Sequence, residues 1–133
     1  MAYSQEFHLQ TPRSARIAYL GEPSDEIKDC WIVVHGYRML AHRFIRHFAA
    51  WEDGKTMVIA PEALSRFYIS IDVANHREAK VGASWMTRED RLVEIEDQNV
   101  YFDRLLAHYK ELLPADTRFH ILGFSLGTAT VWR

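Results

Sequence analysis

The sequence predicts an α/β protein with a mostly parallel sheet flanked by helices on both faces. Three observations carry that expectation. Cys30-Trp31-Ile32-Val33-Val34 and Thr56-Met57-Val58-Ile59-Ala60 are unbroken apolar runs rich in β-branched residues, as strands buried on both faces are. Phe119-His120-Ile121-Leu122 is a third short apolar run, and segments with helical stripes separate the three. No linker, repeat or low-complexity stretch divides the chain, so residues 1–133 read as one domain with a core of its own.

Taken in order, residues 1–13 are polar, with a weak edge strand expected around Phe7 to Leu9. Arg16-Ile17-Ala18-Tyr19-Leu20 alternates polar and apolar, as a strand with one wet face does, and Gly21 to Asp25 turns the chain. The buried run from Cys30 ends in His35-Gly36-Tyr37. From Met39 to Trp51 apolar residues recur at Leu40, Phe44, Phe48 and Trp51, predicting a helix whose outer side carries Arg43, Arg46 and His47. Asp53-Gly54-Lys55 stops it, and the run from Thr56 follows, closed by Pro61. Residues 62–90 show no sustained period, which fits a loop packed over a site and equally a surface connection with a short hairpin. Asp90 to Leu113 reads as the clearest helix, with Leu92, Ile95, Phe102, Leu105, Leu106, Tyr109, Leu112 and Leu113 as its apolar stripe. Pro114 ends it, and the last run begins after Thr117.

Composition narrows the function classes. With 48% apolar and 26% charged residues, the chain is of ordinary globular type. A net charge of −2 with mixed signs gives no reason to expect nucleic acid or an anionic membrane as partner. No apolar run reaches membrane-spanning length, and the N-terminus lacks a signal pattern. Cys30 has no second cysteine to pair with and begins an apolar run, so a buried thiol in a cytoplasmic setting is expected.

The chemistry concentrates near the end of the sequence. Gly123-Phe124-Ser125-Leu126-Gly127 follows a predicted strand and precedes small, helix-tolerant residues, which is the form of a nucleophile elbow. Ser125 would stand at the apex of a sharp turn, and the glycines at 123 and 127 would leave room where a Cβ would collide. The Leu126 N–H would lie at a helix N-terminus, suited to an oxyanion. In a parallel sheet, chemistry collects at the carboxyl ends of strands, where both His35-Gly36-Tyr37 and Ser125 fall.

These residues resemble the α/β-hydrolase superfamily, within it the phospholipase/carboxylesterase-like serine esterases. The resemblance runs from about Arg16 onward and rests on Val33-Val34-His35-Gly36-Tyr37, Ala60-Pro61-Glu62, Gly82-Ala83-Ser84-Trp85 and Gly123-Phe124-Ser125-Leu126-Gly127. It implies Ser125 as nucleophile, the Tyr37 and Leu126 amides as oxyanion donors, and His35 as a residue that shapes the loop and is not the base. It implies a small-molecule ester substrate and no metal or organic cofactor. Tyr37-Arg38 departs from the smaller residues common at that place, so acyl-length preference does not carry over.

A larger departure is that the family order Ser, Asp, His has no room here, because only Leu126 to Arg133 follow the serine. The resemblance therefore implies the N-terminal portion of a longer hydrolase, apparently truncated after the elbow and lacking the later strands. Of seven histidines, His42, His47 and His108 fall on polar helix sides, His120 lies in a strand, and His76 is the only upstream candidate to approach Ser125. No histidine pair has metal-ligand spacing beside carboxylates. Two readings stay open: a carboxylic ester hydrolase, with thioester hydrolysis or acyl transfer using the same parts, and a non-catalytic module or inactive truncated paralogue of the same shape. Oligomeric state is not legible.

Overall fold

The computed structural model of the chain describes residues 4–69 and 79–124. In chain order its elements are β1 (Ile17–Leu20), β2 (Asp29–Val34), α1 (Ala41–Phe44) running into a 3₁₀ segment (Ile45–Trp51), β3 (Thr56–Pro61), β4 (Ser65–Tyr68), β5 (Val81–Ser84), α2 (Arg91–Leu112) and β6 (Arg118–Gly123). The main sheet has four strands in the order β1-β3-β2-β6, and β4 and β5 form a separate two-stranded ribbon.

The expected mostly parallel sheet with helices on both faces is corrected by this arrangement. β2 runs parallel to β3 and to β6, but β1 is antiparallel to β3 and the β4–β5 ribbon is antiparallel as well. The sheet is therefore mixed, and only two α-helices occur among the described residues, one of them a single turn. The physical reason lies at β1. Ile17 pairs with Pro61 and Leu20 with Val58, so the chain doubles back beside β3 without the helical crossover that a parallel neighbour needs.

The two buried runs do form strands covered on both faces. Along β2, Cys30, Ile32 and Val34 pack with Met57, Ile59, Leu105, Tyr109 and Leu113 in one core cluster. The alternate residue Val33 packs with Val58, Ala60, Ala41, Phe44, Ile45 and Phe48 in another. That alternation is the period of two of an extended chain. Each aliphatic side chain removed from water here contributes about 1.5–3 kcal/mol. The Cys30 thiol is fully buried and unpaired, and burial pushes it up to about 12.

Other elements depart from the sequence pattern for local reasons. Phe7 and Leu9 form no strand and stand 84% and 78% exposed. The helix expected from Met39 to Trp51 winds as one α-turn and then tightens into 3₁₀ geometry. With three residues per turn, Ile45, Phe48 and Trp51 come onto one side. There the Phe48 ring meets Trp51 at 4.9 Å, and Trp51 meets Trp31 of β2 at 5.1 Å. The long helix is close to its expected span, but its stripe fails at the N-terminal end: Leu92 is 75% exposed while Gln98 is buried. The Gln98 amide donates to the Trp85 carbonyl, which explains a polar residue on the inner face. In the unreadable 62–90 stretch, the described residues contain the short hairpin strands.

Directly after β3, Glu62 is buried with its side chain fully covered. Arg16 donates to both carboxylate oxygens at 3.0 Å, Arg66 donates to Oε2 at 2.8 Å, and the Ala41 N–H donates to Oε1 at 3.2 Å. Burial alone would raise the Glu62 pKa, but these donors together hold the carboxyl below its ordinary value of 4.5. A depressed folded-state value means a contribution present above about pH 4.5 and lost as pH falls through the folded value. Two outcomes are expected from urea unfolding. Glu62→Ala should cost about 2–4 kcal/mol at pH 7, since an α1 amide and two guanidinium groups lose their acceptor. Glu62→Gln should flatten the acid limb below pH 4.5 relative to the parent chain. A Glu62→Ala loss under about 1 kcal/mol would contradict the account.

Candidate active site

Parallel pairing brings the relevant strand ends together. Val34 of β2 stands opposite Gly123 of β6, and the Phe124 N–H donates to the Val34 carbonyl at 3.0 Å. The chain after β2 and the chain after β6 therefore leave the sheet side by side. The Phe124 ring extends across to Phe44 at 6.1 Å between centroids. Of the residues predicted for the site, His35, Gly36, Tyr37 and Gly123 fall within this arrangement. Ser125, Leu126 and Gly127 lie outside the described residues, as does His76.

His35 is fully buried and both its ring nitrogens are engaged. The Ala63 N–H points at Nε2 at 3.1 Å, so Nε2 accepts, and Nδ1 consequently carries the hydrogen and donates to the Gly36 carbonyl at 2.8 Å. Burial lowers the His35 pKa; the Gly36 carbonyl and the Glu62 charge oppose that shift without cancelling it. A neutral imidazole locked on both sides ties the loop after β2 to the loop after β3, and has no nitrogen left to take a proton from a nucleophile. The His35 carbonyl in turn accepts the Trp85 indole N–H at 2.8 Å.

Tyr37 is half exposed and its ring stacks on Phe67 of β4 at 5.3 Å. Among the described residues no acceptor is bonded to the Tyr37 amide. The next residue holds that amide's orientation. Arg38 has φ +72°, a left-handed conformation that costs a non-glycine residue about 1–2 kcal/mol. It is kept there by β5: the Arg38 N–H donates to the Ala83 carbonyl at 3.0 Å, and the Ala83 N–H donates to the Met39 carbonyl at 3.0 Å. Gly82 makes this approach possible, since a Cβ there would lie 2.6 Å from the Arg38 carbonyl oxygen and 2.8 Å from its Cα. Thus two backbone hydrogen bonds and one missing side chain hold a strained turn.

Sequence reasoning missed Arg38, Glu62 and Gly82 as parts of this frame. Glu62 and Gly82 lie in Ala60-Pro61-Glu62 and Gly82-Ala83-Ser84-Trp85, whose residue types point to no chemistry until the loops are seen together, and Arg38 showed only as the departure after Tyr37. Ser84 is buried and donates to the Met86 carbonyl at 2.9 Å.

Among the described residues no three His, Cys, Asp or Glu side chains cluster so as to hold a metal ion. No helix among them is long and apolar enough to cross a membrane. No protein-family model matches the chain, and no curated protein matches it.

Two outcomes follow from the geometry. The His35 ring signals should stay those of neutral imidazole, titrating only below the ordinary value of 6.5 when followed by NMR. Protonating His35 should favour unfolding, so its contribution is complete above about pH 6.5 and declines below it. A titration midpoint above 6.5 would contradict the buried neutral ring. Separately, Gly82→Ala should destabilise the chain by about 1–3 kcal/mol, because the new methyl meets backbone that cannot move without losing the bonds to Ala83. An unchanged urea midpoint would show that the turn yields without cost.

Proposed function

We propose that the chain is a serine hydrolase of carboxylic esters, with Ser125 as nucleophile and the Tyr37 and Leu126 backbone N–H groups as oxyanion donors. The observation that carries this reading is the Val34–Gly123 pairing with its Phe124 to Val34 hydrogen bond. A nucleophile and its oxyanion donors have to come from neighbouring points to act on one carbonyl. Here the residue after Gly36 and the residue after Phe124 follow adjacent strand ends. The Tyr37 amide, unbonded among the described residues, supports the same reading.

In the proposed reaction, Ser125 Oγ attacks the acyl carbon, its proton passes to a general base, and negative charge develops on the carbonyl oxygen. The two amides hold that oxygen, the alcohol leaves with a proton, and water then releases the acid by the same path in reverse. Buried, neutral His35 takes no proton; it fixes the Gly36 carbonyl and thereby the turn that aims the Tyr37 amide. Thioester hydrolysis and acyl transfer to another alcohol would use the same groups.

The test is a fluorophosphonate, which phosphonylates an activated serine, applied to the native gene product. Digestion and mass spectrometry should find the adduct on Ser125 and on no other serine. Gly36→Val should slow labelling by about 10²–10³-fold, as loss of one oxyanion donor does, while Ser125 remains the labelled residue. An adduct on Ser84 or any other serine, or no adduct at all, would overturn the assignment.

A further inference from the structure

We propose that a cavity beside the Arg38 turn binds an anionic group, and that the ester substrate carries it; the second clause rests on the hydrolase reading, the first does not. The cavity measures about 210 Å³, roughly the liquid volume of seven water molecules. Arg38, Arg43 and Lys80 line it together with the His47 imidazole, over an apolar floor that includes Leu40 and Phe44. Among the described residues, none that lines it is acidic.

What sets these cations apart is that they share one concavity. Arg16 and Arg66 are ion-paired with Glu62, Lys28 with Asp116 and Arg118 with Asp29, while other described cations without an ion pair, such as Arg46, Lys55 and Arg104, do not line it. Among the described residues, neither Arg38, Arg43, Lys80 nor His47 has an ion pair. Arg38, Arg43 and Lys80 are exposed, so water screens much of their mutual repulsion, but the concave, partly apolar wall raises the positive potential within the space they share. An anion entering the cavity relieves that repulsion and gains charge-assisted hydrogen bonds, which are about twice as strong as neutral ones.

Position links the cavity to the proposed reaction. Arg38 directly follows Tyr37, whose amide is the proposed oxyanion donor. Phe44, on the floor, contacts the ring of Phe124, which directly precedes Ser125. An acyl chain of a few carbons extending from a carbonyl held at Tyr37 would lay its methylenes along Leu40 and Phe44 and its charge among the cations. The volume suits a short chain with a terminal carboxylate or phosphate better than a long neutral lipid chain.

The experiment separates binding from turnover. Ser125→Ala protein would be titrated by calorimetry at fixed ionic strength with glutarate, inorganic phosphate and uncharged glutaramide. Either anion should bind and glutaramide should not, and whichever anion binds more tightly identifies the terminal group. The Arg43→Gln/Lys80→Gln double variant should weaken anion binding by about tenfold or more, whereas Arg46→Gln, which lies off the cavity, should not. Equal binding of glutaramide, or indifference to the double variant in a protein with unchanged unfolding, would overturn the anion site. In the native gene product, mono-p-nitrophenyl glutarate should show a lower KM than p-nitrophenyl pentanoate, with the preference lost in the double variant. Hydrolysis of both esters without preference would overturn the substrate assignment and leave Ser125 intact as nucleophile. Anion binding without Ser125-dependent hydrolysis would refute the hydrolase reading and leave the cavity's role standing.

Discussion

The Glu62 carboxylate is the constraint on which the carboxyl-terminal end of the sheet depends. A charge removed from water is costly unless its lone pairs are met, and here they are met by groups from three separate parts of the chain. Arg16 leads into β1, the Ala41 amide begins α1, and Arg66 lies in β4. The Tyr101 hydroxyl of α2 donates to the Glu62 carbonyl at 2.9 Å, so the fourth surrounding element is tied to the same residue. Burial and the nearby Glu62 charge raise the pKa of that hydroxyl well above its ordinary value. It therefore remains protonated and able to donate across the physiological range. Withdrawing Glu62 would release the first α-turn and the ribbon together.

A second set of bonds transmits that order to the loop after β2. His35 joins Gly36 to Ala63, the residue next to Glu62, so the two loops move as one. Trp85 closes the back of this unit through its indole N–H, and its ring packs against Phe102 of α2 at 5.5 Å. The ribbon then grips Arg38 and Met39 by backbone bonds, and both residues also line the cavity, the Met39 sulfur accepting the Gly36 N–H at 3.2 Å. Backbone strain at Arg38 persists because the surroundings over-determine it. Such an arrangement suits a site whose working groups are amides, since an amide can be aimed only by holding its peptide planes on both sides.

Much of the fold was legible in one dimension, and the reasons differ by element. β2 and β3 were readable because strands buried on both faces have no polar positions to disguise them. α2 was readable because its length averages out exceptions such as Gln98. The 39–51 stretch was misread because period three and period 3.6 differ little over so few residues, and packing on Trp31 and Phe48 decided between them. At the site, His35-Gly36-Tyr37 and Ser125 were expected at the carboxyl ends of strands; β2 and β6 do end side by side at Val34 and Gly123, while Ser125 lies outside the described residues. The frame that holds His35 and Gly36 was not foreseen, because Glu62 and Gly82 contribute a partner and an absence of bulk that exist only when distant loops meet.

The direction of β1 shows the boundary most plainly. Alternating residues identify a strand with one wet face, but the pattern is the same whichever way the strand runs, so a mostly parallel sheet and a mixed one look alike in sequence. Pairing of Ile17 with Pro61 and Leu20 with Val58 settled it, through contacts about forty residues apart in the chain. What the sequence by itself determined was local: which runs are apolar enough to be buried, where glycine permits a turn, and which residue types gather near strand ends. Only the tertiary structure decided strand direction, the neutral state of His35 and the strained Arg38. Each of those depends on a hydrogen bond or a steric gap supplied from a distant part of the chain.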